Sequence, residues 1–359
     1  MSSSFGNGGA LVGWNVQSAY KTAASAIASA ASSWLLEDAD TITIEQNILR
    51  PRTISYVGMT LKNRARLGHK VIRGALKFPL WSQEIEGWQK RVLGGGSSAQ
   101  IGVTTAYTHS LFPAVAIVGS GNQLPLTLWR NLDDQIQKIV DVSPTKLEFE
   151  FNLPTNYASV TVTFVARDHL DGQTGTFSLP DAAVAILTSA DTGASLFTYN
   201  AVAVPITLFK LTIDSHREEE EAFRLGSILQ DKEPIRNSAM EVTGSFTAEY
   251  VDVYGTDKAW SDQFVNPTAT PSGYKQIVFN AQTGDAGGGN AYQWKMTCPN
   301  IRIEKAPIQI RKAGRTMLEL PFVADSTEAG TALGGGVFPT TAGADMVKLE
   351  LVNKRTTIL

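Results

Sequence analysis

Histidine and cysteine are the residues of this chain best suited to hold a metal ion or to act as a nucleophile. No histidine stands in a spacing such as HExxH, which would bring two ligands to one helix face. The single cysteine, Cys298, lacks a second cysteine with which to form an intramolecular disulfide or a zinc cage. These residues therefore point away from metal and thiol chemistry. The four histidines are His69, His109, His169 and His216.

Two acidic stretches carry the next possible chemistry. In "HREEEE", His216 precedes four consecutive glutamates, but successive strand residues point to opposite faces, so a solvated acidic loop is favoured over a metal site. "DHLDGQTG" offers Asp168 and Asp171 but lacks the other ligands and the closing glutamate of a calcium loop. Neither stretch predicts a bound ion.

Three glycine clusters, at 94–96, 287–289 and 334–336, could in principle cradle a phosphate. None continues into the Lys-Ser/Thr pair of a P-loop or stands in a GxGxxG pattern, and the chain has no GxSxG nucleophile elbow. We therefore expect no cofactor and no enzymatic activity.

Composition bounds the possible partners. The 359 residues carry a net charge of −3, with no basic block of the kind that grips nucleic acid. Charged residues make up 18% of the chain, against about 25% in a typical soluble domain. This deficit suggests that copies of the chain cover much of its surface. No signal peptide and no apolar run long enough for a membrane span are readable, so we expect no membrane association.

The elements that position these residues are predicted to be strands. Segments such as "TITIEQNI", "TKLEFEFNL" and "TLFKLTID" alternate with period two, which is typical of a half-buried antiparallel sheet. "SQEIEGWQKRVLGGG" changes period, with Ile85, Trp88 and Val92 on one helical face and Gly94–Gly96 ending the helix in a loop. The Ala/Ser-rich stretch 21–40 is open to two interpretations, a helix or a mobile arm.

An ordered series of matches indicates an internal repeat. Gly74 and Trp88 correspond to Gly244 and Trp260, "SPTKLEFEF" to "CPNIRIEK", and "VTFVARD" to "LPFVADS". The predicted fold is mainly β, with two tandem antiparallel β-sandwich or barrel units, each with a short flanking α-helix. The predicted boundaries are an N-terminal arm (1–40), a first unit (41–168), a connector (169–204) and a second unit (205–359).

The layout resembles the tail tube proteins, or major tail proteins, of long-tailed, non-contractile bacteriophages. The resemblance covers 10–353 and rests on structural motifs: "GALVGWNVQSAYKT", "RPRTISYVGMTLKNRARLGHKVIRGALKFPLW", "YTHSLFP", "LTIDSHREEEEAFRLGS", "PIRNSAMEVTGSFTAEY" and "MLELPFVADS … VKLELVN". It implies tail-tube-type units whose strands join in rings, and rings that stack into a hollow tube for genome passage into the host. Two fused units would suit a homotrimer with a pseudo-hexameric ring, but the sequence leaves trimer against hexamer open.

The resemblance also implies partners and a location. The chain would bind copies of itself and other tail proteins (tape measure, tail terminator and distal tail protein), while double-stranded DNA passes through the lumen without specific binding. It would be assembled in the bacterial host cytoplasm and reside in the virion tail. Contacts between rings are expected from the arm 2–38 and the loops 94–105 and 284–291. The suspected assembly contacts include the acidic run Glu218, Glu219, Glu220 and Glu221. This run is open to two placements, either facing the lumen or facing a basic loop of a neighbouring ring, with Lys62, Arg64 and Arg66 as the candidates.

Two other functions remain open at this point. One is a β-sandwich binding module for carbohydrate or surface adhesion, which would need an aromatic platform. The other is a hydrolase on a β scaffold, which would need a carboxylate pair in a cleft. A monomer at high protein concentration would favour either of these, and self-polymerising rings or filaments would favour the tube.

Overall fold

The computed structural model describes part of the 359-residue chain. The described residues are 11–29, 31–34, 40–49, 52–54, 60–62, 66–83, 85–113, 124–132, 135–152, 158–178, 187, 196–199, 201–218, 229–230, 234–236, 239–249, 275–303, 308–309, 317–325 and 346–358.

Antiparallel strands dominate the described chain, as the period-two patterning predicts, and the mainly β fold class is confirmed. The elements up to residue 173 are β1 (Leu11–Val16), β2 (Ser32–Trp34), β3 (Asp40–Leu49), β4 (Arg52–Ile54), β5 (Thr60–Lys62), β6 (Arg66–Pro79), α1 (Glu86–Leu93), β7 (Gly94–Gln100), β8 (Tyr107–Pro113), β9 (Leu126–Leu132), β10 (Gln135–Asn152), β11 (Ser159–Ala166) and β12 (Asp168–Gln173).

The remaining strands follow the same pattern. They are β13 (Phe197–Tyr199), β14 (Val202–Ala203), β15 (Ile206–Asp214), β16 (Arg217–Glu218), β17 (Ile235–Arg236), β18 (Glu241–Glu249), β19 (Lys275–Gly287), β20 (Asn290–Ile303), β21 (Ile308–Gln309), β22 (Met317–Ala324) and β23 (Lys348–Asn353).

One long sheet runs through both halves of the chain. Its strand order is β3–β6–β11–β10–β15–β18–β22, and the end of β20 followed by β21 forms an eighth line beside β22. We call this eight-membered array the long sheet. Its two halves meet where β10 pairs with β15.

The remaining main strands form an outer layer in two groups. The first group has the order β2–β1–β9–β10–β12, and the second has the order β14–β13–β19–β20–β23–β8–β7. Because β10 and β20 take part in both layers, the layers are one hydrogen-bonded network. Among the described strands, two further pairs, β4–β5 and β16–β17, form separate two-stranded sheets.

Aromatic side chains fill the space between the two layers. Phe149 of the long sheet lies 4.9 Å from Trp294 of the outer layer, and Phe209 stacks on Phe279 at 4.5 Å, both measured between ring centroids. Near the helix, Trp14 meets Trp88 edge-on at 5.5 Å. Burial of such large rings supplies much of the hydrophobic stabilisation of a core.

The helix predicted around Trp88 is confirmed as α1, and Gly94 ends it. Gly94 adopts φ 91° and its N–H donates to the Lys90 carbonyl, a left-handed cap that favours glycine. The loop predicted beyond it is wrong, since Gly94–Gln100 forms strand β7 on β8. The loop predicted at 284–291 is shorter than expected, since β19 runs to Gly287 and β20 begins at Asn290.

The N-terminal region is neither helical nor detached in its described part. Residues 17–29 contain no helix, so the helical interpretation is wrong there. They are held on their own chain: the Lys21 amide donates to Asp141 at 2.8 Å, and Lys138 Nζ donates to the Ala24 carbonyl at 2.6 Å. The second predicted helix, around Trp260, lies outside the described residues.

Candidate assembly surface

The long sheet is built from two sets of four strands in the same order. The first set is β3, β6, β11 and β10, and the second is β15, β18, β22 and the β20–β21 line. Within the chain the sets meet edge to edge at β10 and β15, which we call the internal join. Seven residue pairs form it, from Lys146 opposite Asp214 to Asn152 opposite Leu208.

A glycine under a phenylalanine ring occurs once in each set. Gly74 lies opposite Phe164, and Gly244 lies opposite Phe322. A Cβ on Gly74 would lie 2.7 Å from Cε1 of Phe164, and one on Gly244 would lie 2.8 Å from Cε1 of Phe322. Both distances are shorter than a van der Waals contact allows. The ring therefore fits because no side chain stands beneath it. The repeat markers Gly74 and Gly244 thus occupy matching positions in the two sets.

Strand pairing corrects one of the sequence matches. Pro144 lies opposite Phe164, but it is Ile303, not Pro299, that lies opposite Phe322. Likewise Phe149 lies opposite Val160, and Ile308 lies opposite Leu318, the counterpart of Val160. The match of "SPTKLEFEF" with "CPNIRIEK" is therefore wrong by four residues. The structural counterpart begins at Arg302.

The side of the long sheet that faces away from the core is polar. We call this side the open face. Threonine and serine alternate there with charged side chains, as the period-two pattern predicts. Its polar members include Arg73, Lys77, Lys146, Glu148, Glu150, Thr161, Thr163, Lys210, Thr212, Thr243, Ser245, Thr247 and Glu319.

Lysines on the open face lie beside carboxylates. The Glu150 carboxylate is 3.8 Å from Lys77 Nζ and 3.3 Å from Lys210 Nζ, so it bridges β6 to β15 across the internal join. Lys146 Nζ is 2.7 Å from Glu148. Partly exposed pairs of this kind contribute little stability, but they neutralise the cations locally. The open face therefore presents little uncompensated positive charge along these strands.

The edge of the long sheet at β3 carries a core-facing isoleucine that is only partly covered. Ile44 on β3 has 38% of its surface exposed, whereas its counterpart at the internal join, Ile213, is fully buried. β3 contains neither lysine nor proline, the residues that commonly protect a free edge. Pairing with another strand would bury this side chain.

A buried ion pair ties the end of the chain to the helix. Glu86, at the start of α1, is fully buried and lies 3.0 Å from Nε of Arg355. Burial raises the pKa of Glu86 to about 7, against the opposing effect of the Arg355 charge. Asn353 adds a hydrogen bond from its amide to the Ser82 carbonyl at 3.0 Å. Sequence reasoning missed this contact because nothing local links residues 269 positions apart.

The cysteine, histidine and aspartate considered for chemistry are buried or paired with other side chains of the fold. Cys298 is buried against Met296, and burial raises the pKa of its thiol. His109 is buried between Ser98 Oγ and Asn353 Oδ1, each at 2.8 Å, and burial lowers its pKa. Asp168 pairs with Lys70 Nζ at 2.7 Å. Within the described chain, no group of three or more possible ligands gathers as a metal site.

The suspected assembly contacts are only partly placed. Glu218 lies in β16, Lys62 ends β5 and Arg66 begins β6. Their side chains, together with Glu219, Glu220, Glu221 and Arg64, lie outside the described residues. These contacts stay predictions. Trp88 is fully buried in α1, and Trp260 lies outside the described part.

Among the described residues, no helix has the length and apolar character needed to cross a membrane.

Comparison with models of protein families gives a match over most of the chain. The family model described as phage tail tube protein matches residues 9–324, most of the chain. A comparison with curated proteins gave no significant match.

Proposed function

The chain belongs to the phage tail tube protein family, and from this premise we propose that its copies close into rings that stack as the wall of a hollow tube. A structural role in the virion tail follows from the family itself. The observation that supports ring closure is the long sheet, whose two four-stranded sets lie edge to edge in one chain. A sheet with unlike edges can continue from copy to copy and remove both edges.

Each set is the wall element of one tube unit in this proposal. The first unit spans 41–168 and the second spans 205–359, with an arm at 1–40 and a connector at 169–204. The matching Gly74–Phe164 and Gly244–Phe322 contacts support two units of common design. Two units per chain give a homotrimer in which the ring is pseudo-hexameric.

Three chains supply 24 wall strands. With strands ~4.8 Å apart and tilted about 40°, the barrel is roughly 48 Å across at the backbone. Side chains on the inner surface leave a channel of roughly 35 Å, wider than a DNA duplex of about 20 Å. The channel is therefore wide enough for the duplex to pass without touching the whole circumference of the wall at once.

The open face becomes the lumen surface. Its lysines lie beside carboxylates, as Glu150 does between Lys77 and Lys210. Uncompensated cations would bind phosphates and hold the genome, because each phosphate contact releases counterions and adds affinity. A lumen without them lets the genome leave for the host.

Further partners follow from the same role. The tube contacts other tail proteins, namely the tape measure, the tail terminator and the distal tail protein, and it is assembled in the bacterial host cytoplasm. The protein works without catalysis in this proposal. Glu218, Glu219, Glu220 and Glu221 pair with Lys62, Arg64 and Arg66 of a neighbouring copy.

Particle size tests the proposal directly. The purified full chain is examined by size-exclusion chromatography with light scattering and by negative-stain electron microscopy at rising concentration. Hollow rings or tubes of uniform diameter are expected. A monomer at every concentration contradicts ring assembly and favours the binding module for carbohydrate or surface adhesion.

A further inference from the structure

The internal join offers a pattern for a contact between copies. In the chain, the last strand of the first set, β10, pairs with the first strand of the second set, β15. Each of these two strands has a counterpart in the other set. The counterpart of β15 is β3, the first strand of the first set, and the counterpart of β10 is the β20–β21 line, the last of the second set. Among the described residues, β3 pairs only with β6 and β21 only with β22, whereas the β20 part of the second edge has Lys275 of β19 opposite Ile301.

We propose that neighbouring copies join as the two halves of one chain join, with the β20–β21 edge of one copy pairing antiparallel with β3 of the next. This inference rests on the proposed ring and names its edges. It also fixes the register, which the family membership leaves open.

Counterpart residues are assigned from pairing within each set. Ile42 lies opposite Gly74, and Leu211 lies opposite Gly244, so Ile42 corresponds to Leu211. On the other edge, Ile308 lies opposite Leu318 of β22, and Phe149 lies opposite Val160 of β11. Because Leu318 and Val160 are counterparts, Ile308 corresponds to Phe149.

The register of the new join follows from that of the internal join. Phe149 lies opposite Leu211, and Glu150 lies opposite Lys210. Replacing each residue by its counterpart places Ile308 opposite Ile42, and Gln309 opposite Thr41, across the boundary between two copies. A shift of one residue would turn every side chain to the other face of the sheet, so a half-buried sheet enforces one register.

Burial supports the same pairing. Ile44 on β3 is 38% exposed, and its counterpart Ile213, which has a neighbouring strand at the internal join, is fully buried. A strand from a second copy would cover Ile44 in the way that β10 covers Ile213. The two edges differ from each other, so the contact is head-to-tail, which is the kind of contact that a closed ring requires.

Engineered disulfides test the register. The double variant T41C/Q309C places cysteines opposite each other across the boundary, where antiparallel Cα atoms are about 4.5–5.5 Å apart, within disulfide range. After mild oxidation of assembled protein, a non-reducing gel is expected to show linked dimers and a closed trimer as the largest species. The buried Cys298 is present in every variant and serves as the background.

A slipped pair is the matched control. T43C/Q309C moves one cysteine by two residues on the same strand, which separates the Cα atoms by about 7–8 Å and prevents the bond. Either single variant alone is expected to stay unlinked, while a mixture of the two single variants gives dimers and no trimer.

The outcomes separate this inference from the proposed function. Tubes that form by electron microscopy but fail to link through T41C/Q309C, or that link better through T43C/Q309C, overturn the register and leave the tube intact. Protein that stays monomeric without forming tubes overturns both. Linked trimers from T41C/Q309C support the join.

Discussion

The two halves of the molecule share their wall strands and differ in what packs behind them. Gly74 lies under Phe164 in the first half, and Gly244 lies under Phe322 in the second. Behind the first set stand α1 and the Trp14–Trp88 pair, whereas the second set is backed by aromatic rings such as Phe279. The two halves therefore share the strand pairing of the long sheet, including the glycine under a phenylalanine ring. They differ in the side chains and elements that pack against that sheet from the outer layer.

The halves are also linked unequally. The end of the chain follows β23, a strand of the second half, and reaches back to α1 of the first half through Arg355 and the buried Glu86. The first half therefore depends on the second for charge compensation.

Breaking this link has the largest expected effect on stability. R355A removes the counter-ion of the buried Glu86, so at pH 8 that carboxylate either stays charged without a partner or takes up a proton, and both lower the free energy of unfolding. Chemical denaturation of the unassembled chain measures the free energy of unfolding. At pH 5 the loss is expected to be much smaller, because Glu86 is then protonated in the folded state.

The sign of the pH dependence follows from the direction of the shift. Burial raises the pKa of Glu86 from 4.5 to about 7, so the folded state holds a proton that the unfolded state releases between these values. Stability from this group therefore falls as the pH rises from about 4.5 to 7. E86Q is the control and should flatten this part of the profile. An R355A loss that is equal at pH 5 and pH 8 contradicts the assignment.

The two glycine contacts give the next largest effect and compare the halves directly. A Cβ on Gly74 meets only the Phe164 ring among its three nearest atoms, but one on Gly244 also meets the backbone carbonyl of Lys210. A ring can shift, whereas a carbonyl in a paired strand cannot. We expect G244A to cost about 3 kcal/mol and G74A about 1 kcal/mol, measured by chemical denaturation.

Second-site variants sharpen this difference. Shortening the ring makes room for the new methyl group, so G74A/F164L should cost less than the sum of its single variants. G244A/F322L should gain less from the same change, because the Lys210 carbonyl remains in place. Equal coupling in both halves would contradict the structural difference between them.

Charge on the open face gives a smaller and purely functional effect. Thr247 is the second-half counterpart of Lys77, which lies beside Glu150. T247K combined with E150Q adds one lysine and removes the compensation of two others. Tubes of this variant should retain DNA at low salt and release it as salt rises. T247E with E150 intact is the matched control, and DNA retention by that control would contradict a lumen location.

The acidic run gives the smallest expected effect. Replacing Glu218, Glu219, Glu220 and Glu221 with alanine should leave the folded chain stable but weaken tube assembly and change its response to salt. The triple variant K62A/R64A/R66A should produce the same change if these groups are partners. Tubes that are unchanged in both variants, by electron microscopy at several salt concentrations, would refute the contact.

Much of the fold could be predicted from local pattern. Period-two alternation predicts β3, β11 and β15, because a half-buried strand must alternate its faces. The spacing of Trp88 and Val92 predicts α1, and Gly94 supplies its left-handed cap. These features depend on residues close together in the chain.

Other features depend on partners that a single sequence does not reveal. The glycine cluster predicts a loop at Gly94–Gln100, but this segment pairs with β8 through backbone hydrogen bonds, which have no side-chain signature. The repeat match is wrong at Pro299 because it aligns this proline with Pro144. Strand pairing instead places Ile303 opposite Phe322, and this pairing sets the register. The correct signal was present as "KLEFEF" and "KAPIQI".

The number of chains in one ring tests the central claim most directly. Cryo-electron microscopy of tubes grown from the purified chain counts chains per ring and wall strands per chain. Three chains, each with eight strands in a 24-stranded wall, is the predicted result. Six chains per ring with four wall strands each, or a particle without a continuous wall, would contradict the account.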